Sequence, residues 1–282
     1  MKADGKSILF SGDLGRKNDL LEYDPSNPPD ADYLVIESTY GDRLHPEIDP
    51  VLEMANLVKR ITEQKAVLII PSFAVGRTQY LLYLLYKVFY EMNTESIPVY
   101  LNSPMTSKVT HLYQQYVNSF RLDKEQFEKV CNMVQFVEMA RDSRELNKKS
   151  GPMIIVSASG MLTGGRVLQD LKAFGDDPNN ILLLVGFQAP GTRGADIAAG
   201  ERSIKFFGDY HEINAEVLKF DFMSAHADQA GLLEWLGAMK TKPAKVFVSH
   251  GEQHSADVLR TKIEENFSID AVVAQELQEF EL

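Results

Sequence analysis

The sequence predicts an α/β fold in which a parallel sheet is flanked by helices. One observation is a unit that occurs three times: a short apolar stretch, a loop of small residues, then an amphipathic helix. The apolar stretches are 66–70, 98–101 and 153–156, and the loops that follow are PSFAVGR, NSPMT and SASGMLTGGR. Crossovers of that length connect parallel strands. The other observation is that 181–187 is apolar without alternation, as expected of a strand buried on both faces.

Taken in order, 7–10 is a short strand that runs into SGDLGR, a glycine-flanked turn with Asp13 at its tip. A loop with three prolines precedes a second strand, 33–36, which delivers Glu37 in ESTYGD. Leu52, Ala55, Val58 and Ile61 mark 50–64 as an amphipathic helix. The repeated units then place helices over 78–90, over 107–120 and up to Phe174, with a mainly helical, polar stretch at 122–149. After 181–187 comes QAPGTRG, and 203–207 and 216–220 are expected as strands around the turn Gly208-Asp209. MSAHAD opens a helix over 229–239 with Asp228 as its N-cap. KVFVSHGE is a strand ending on His250, followed by a helix over 255–266 and a strand over 270–274.

A length of 282 residues suggests about two domains, and 44% hydrophobic with 24% charged residues is ordinary for a soluble globular protein. The lone Cys131 excludes an internal disulfide, a Cys-rich zinc site and the zinc deaminases, fits a reducing compartment, and is expected as a small buried hydrophobe. No stretch suits a signal peptide or a membrane span, so the expected location is cytoplasmic with no membrane partner. A net charge of −11 gives no overall attraction to nucleic acid. A polyanionic substrate would have to be held by a few well-placed cations.

His250 stands at a strand tip beside glycine, where it either caps the turn or serves chemistry, and His226 in SAHAD carries the same two readings. Asp13 suits a metal ligand as well as an Asx-turn, and Glu37, so close to a buried strand, needs a partner. Arg77, Arg166 and Arg193 each lie beside glycine in a loop after a strand, a position suited to phosphate, and Ser72 and Ser159 of the same loops join them as phosphate contacts. There is no P-loop and no Gly-x-Ser-x-Gly elbow. His45, His111 and His211 are assigned to surface or packing, and His254 to an exposed first helical turn.

FSGDLG, ESTYGDR, PSFAVGR, SASGMLTGGR, FMSAHAD and VSHGE, in this order, resemble the motif set of the metallo-β-lactamase-fold nucleases that carry a β-CASP domain. The resemblance implies a β-CASP domain with a parallel sheet flanked by helices at 42–222. It also implies an incomplete αββα metallo-β-lactamase domain at 1–41 with a return segment at 223–282. It implies a zinc-dependent RNA nuclease in which Asp13 bridges two zinc ions, His250 ligates one, His226 protonates the leaving oxygen and Glu37 orients His226. A histidine at the last motif favours RNA over DNA within that family.

The family's His-x-His-x-Asp-His signature has no counterpart in the sequence. The expectation is therefore a C-terminal portion, needing the N-terminal metallo-β-lactamase portion as its partner, inactive alone and holding zinc weakly or not at all. RNA is the expected substrate and a homodimer is left open. Rival readings are a noncatalytic RNA-binding or scaffold subunit and a small-molecule phosphoesterase.

Overall fold

A computed structural model describes residues 1–3, 5–92 and 94–282. The chain forms two compact units, one made of Met1–Asp19, Tyr23–Pro46 and Ala225–Leu282, the other of Leu20–Glu22 and Glu47–Ser224. The stretch 42–46 belongs with the first unit because the His45 backbone N–H donates to Asp228 Oδ2 at 2.9 Å.

In the second unit the strands lie in the order Glu216–Phe220, Ile181–Val185, Val67–Pro71, Met153–Ser157, Val99–Leu101, Val134–Phe136, and every pairing is parallel. Strand side chains alternate between two cores. Leu68, Ile70, Ile154, Val156 and Leu183 join the helices Pro50–Gln64 and Arg77–Tyr86 on one face. Val67, Ile69, Ile155, Leu182 and Leu184 join the helices Val167–Phe174 and Arg193–Ala199 on the other. Covering both faces is what makes these strands read as unbroken apolar runs. Each fully buried Leu, Ile or Val contributes roughly 1.5–3 kcal/mol relative to exposure.

Helix Pro50–Gln64 has the expected bounds for two local reasons. Asp49 caps its start by accepting from Val51 N, and Lys65 ends it in the left-handed region at φ 54°. Helix Arg77–Tyr86 is shorter than expected and continues as a π turn, Lys87–Glu91.

Two further expectations change. The stretch 122–149 contains the strand Val134–Phe136 between the helices Lys124–Met133 and Ala140–Leu146. It lies at the sheet edge with only Val134 fully buried, so it leaves little hydrophobic signal. Ser203–Phe206 pairs not with Glu216–Phe220 but antiparallel with Asp209–Glu212, a polar strand that lacks apolar alternation. Cys131 is half-buried against the first of these cores, and burial pushes its thiol up to about 11, which makes it unreactive.

The first unit is built on a sheet ordered Lys2–Ala3, Lys6–Phe10, Tyr33–Glu37, Lys245–Ser249, Asp270–Val273, parallel apart from its first pair. The helices Gln229–Gly237 and Gln253–Phe267 pack on the face that carries Leu34, Ile36, Val246 and Val248. Phe247, on the other face, is covered by Phe280 at 4.7 Å between ring centroids. Among the described residues no helix is long and apolar enough to cross a membrane.

Candidate active site

Adjacent parallel strands of the first unit bring Asp13, Glu37 and His250 to one sheet edge. Phe10 is paired with Val35, and Ser249 with Glu37, so the segments after Phe10, Val35 and Ser249 emerge side by side. The carboxyl edge of such a sheet is where α/β proteins place their chemistry. His226 arrives from a different element. It is tied in by the Ala227 N–H donating to Leu14 O at 2.8 Å and by an antiparallel bridge between Gly15 and His226.

Glu37 is the floor of the site, 2% exposed. One carboxylate oxygen accepts from Leu14 N at 2.7 Å and the other from Thr39 N at 3.2 Å. His226 Nδ1 lies 3.0 and 3.1 Å from the two oxygens. Burial alone would raise the carboxyl, but the hydrogen bond and charge of His226, followed by Thr39 and Leu14, outweigh it and hold the group below its ordinary value. An ionised carboxylate only accepts, so Nδ1 carries the proton and Nε2 is turned away from Glu37.

The backbone of SAHAD is fixed at both ends. His45 Nε2 donates to the His226 carbonyl at 2.9 Å, with the His45 ring edge-on to Tyr40 at 4.7 Å. Asp228 caps helix Gln229–Gly237 through Gly231 N at 2.9 Å while its other oxygen takes the His45 N–H. His45, assigned from sequence to surface or packing, is therefore a supporting residue of this site. So is Thr39, whose hydroxyl donates to His250 O at 3.1 Å and lies 3.4 Å from Nδ1 of both His226 and His250. Thr39 lies in the turn that follows strand Tyr33–Glu37, and no local pattern in the sequence marks it.

His250 takes the left-handed conformation, φ 53°, uncommon for a residue with a side chain. The bond from Thr39 and the Ser38 hydroxyl bonded to Ser249 O at 2.8 Å hold that turn. Gly251 serves a steric purpose: a Cβ there would stand 2.4 Å from Ser38 Oγ and 2.5 Å from Ser38 O. Gly251→Ala should therefore destabilise the first unit by about 1–3 kcal/mol, the usual range for overpacking, as read by urea denaturation. An unchanged midpoint would show that Ser38 moves aside at little cost.

Asp13 Oδ1 and His250 Nδ1 are 3.6 Å apart, with side chains 68% and 57% exposed. Asp13, His226 and His250 each bring one ligand atom, and these atoms lie within 4.8 Å of one another. Oxygen and imidazole nitrogen are donors that zinc accepts, and about four are needed for one ion. The cluster fits part of one zinc coordination shell; two ions need more ligands than it supplies.

The expected phosphate contacts lie in the second unit. Ser72 is fully buried, and its hydroxyl donates to Thr78 Oγ1 across 3.0 Å. The Arg77 guanidinium lies against Gly186, and Ser159 Oγ accepts from Thr163 N at 3.0 Å and Gly164 N at 3.3 Å, closing its loop. Arg166 donates to Val137 O, Glu138 O and Asn102 Oδ1, and Arg193 to Lys205 O, Leu162 O and Thr163 O. In this arrangement both arginines hold loops together.

Residues 78–197 match the family described as Beta-Casp domain, and residues 210–274 match the Zn-dependent metallo-hydrolase RNA specificity domain. Over 89% of its length the chain is 37% identical to Ribonuclease TTHA0252 of Thermus thermophilus, covering 59% of that protein. Over 91% it is 34% identical to an RNase J-like protein of Methanocaldococcus jannaschii, covering 61%. It is also similar to Integrator complex subunit 11 of Gallus gallus, 27% identical over 96% of the chain and 45% of that protein. The chain thus spans about three fifths of the length of the first two relatives.

Proposed function

The chain belongs to the metallo-β-lactamase/β-CASP family of RNA-processing nucleases, and from that premise we propose that it forms one side of a zinc-dependent site for RNA phosphodiester hydrolysis. The observation that carries this reading is the convergence of Asp13, His226 and His250 over a buried, ionised Glu37. Asp13 and His250 would hold zinc, with the remaining ligands supplied by residues other than these. When bound, zinc supplies Lewis acidity toward water and phosphoryl oxygen. His226 Nε2 holds the proton destined for the leaving oxygen. For that the ring is doubly protonated, and the Glu37 carboxylate favours this form by accepting from Nδ1–H, as carboxylates commonly do behind functional histidines.

The geometry also offers His226 as a third ligand, and the two roles compete for the same Nε2. Calorimetric titration with zinc separates them. Zinc binding to the 282-residue chain should be weak, and Asp13→Asn and His250→Ala should abolish it. His226→Ala should leave it unchanged if His226 is the acid and weaken it if His226 is a ligand. RNA cleavage should require a segment bearing the His-x-His-x-Asp-His signature. Two tightly held zinc ions per chain, with RNA cut by the chain alone, would overturn this division of labour.

A further inference from the structure

We propose that Phe73 is a base-stacking platform for single-stranded RNA on the second unit, an inference that rests on the RNA-nuclease reading above. Strand Val67–Pro71 is central in its sheet, between Ile181–Val185 and Met153–Ser157, and Phe73 stands just beyond its carboxyl end. Phe73 is 43% exposed although its backbone is firmly fixed. The Thr78 hydroxyl donates to Phe73 O at 2.7 Å, and Ser72 N donates to Ser157 O at 2.9 Å.

One edge of the ring rests on Gly160 in the neighbouring loop. A Cβ at Gly160 would lie 2.9 Å from Phe73 Cδ2 and 3.1 Å from Cε2, so a larger residue there would displace the ring. The aromatic group is thus held in place while part of its surface faces solvent. The same loop is tied together by the Ser159 hydroxyl, which accepts from Thr163 N at 3.0 Å and Gly164 N at 3.3 Å, so the support under the ring is itself hydrogen-bonded in place.

Charge narrows the choice of ligand chemistry. Affinity from phosphate neutralisation needs available lysines and arginines, yet the chain carries a net charge of −11. Arg166 and Arg193 donate to main-chain carbonyls of this rim. Stacking on an aromatic ring supplies affinity without charge and tolerates any base, which makes an unpaired polynucleotide the ligand that suits this edge.

The test uses the 282-residue chain and a single-stranded RNA oligonucleotide containing 2-aminopurine, whose fluorescence falls when it stacks. Phe73→Leu keeps apolar bulk and removes the π face; Phe73→Tyr keeps it. Phe73→Leu and Phe73→Ala should weaken binding roughly 5- to 150-fold per stacked base and remove the quench, whereas Phe73→Tyr should retain both affinity and quench. Wild-type binding and quench that persist in Phe73→Leu overturn the platform while leaving the nuclease reading intact. A wild-type chain with no affinity for the oligonucleotide overturns the RNA reading, and this inference with it.

Discussion

Replacing His226 with alanine should lower kcat for RNA cleavage by about 10²–10⁴ in an enzyme assembled from this chain and a segment supplying the remaining zinc ligands. The expectation comes from the pairing of His226 Nδ1 with a buried carboxylate at 3.0 Å, which orients the ring and favours its doubly protonated, acidic form. Glu37→Gln should approach the same loss. A neutral glutamine removes the negative charge that favours the doubly protonated ring, while the fold keeps a side chain of the same shape. Zinc content should stay constant in both variants. A p-nitrophenyl phosphodiester, whose leaving group needs no proton, should be hydrolysed almost as fast by His226→Ala as by wild type. Equal loss on both substrates, or a parallel loss of zinc, would remove the general-acid assignment.

The parts of this site that were legible in the sequence share a cause: they lie at the ends of strands. Asp13, Glu37 and His250 follow apolar runs directly, and the parallel pairing of those runs makes their ends neighbours. The supporting residues were not legible because their roles depend on contacts across the chain. His45 reaches the carbonyl of His226, and Thr39 the carbonyl of His250, through bonds that no local pattern announces. Arginines beside glycine carry the same ambiguity. Arg166 and Arg193 look like phosphate ligands by position, but their donors meet carbonyls of loops remote in sequence. The fold followed the same rule. Buried strands such as Ile181–Val185 were evident from composition, while Val134–Phe136 and Asp209–Glu212, at an edge and in a polar hairpin, were not.

The stability of the second unit should fall as pH rises from about 4 to about 7, and Asp170→Asn should remove most of that dependence. Asp170 is fully buried in helix Val167–Phe174, where its oxygens meet Ser157 Oγ at 2.5 Å and Asn102 Nδ2 at 2.8 Å. Burial pushes its carboxyl up to about 7, against the opposing pull of those two hydrogen bonds and of the Arg166 charge. The folded carboxyl therefore stays protonated where the unfolded one is ionised. The native state binds more protons between the two values, so stability declines across that window and levels off above it. A displacement of this size corresponds to about 4 kcal/mol, a large share of the roughly 5–15 kcal/mol that holds a typical domain together. An asparagine at this position can still accept from Asn102 and can donate to Ser157 Oγ, copying the neutral acid. Urea denaturation followed by circular dichroism should show wild type and Asp170→Asn close together at about pH 4, with the variant the more stable at pH 8. If Asp170→Asn is instead the weaker protein at pH 8, the fold favours the ionised carboxylate over the neutral acid, through Arg166 and its two hydrogen-bond donors.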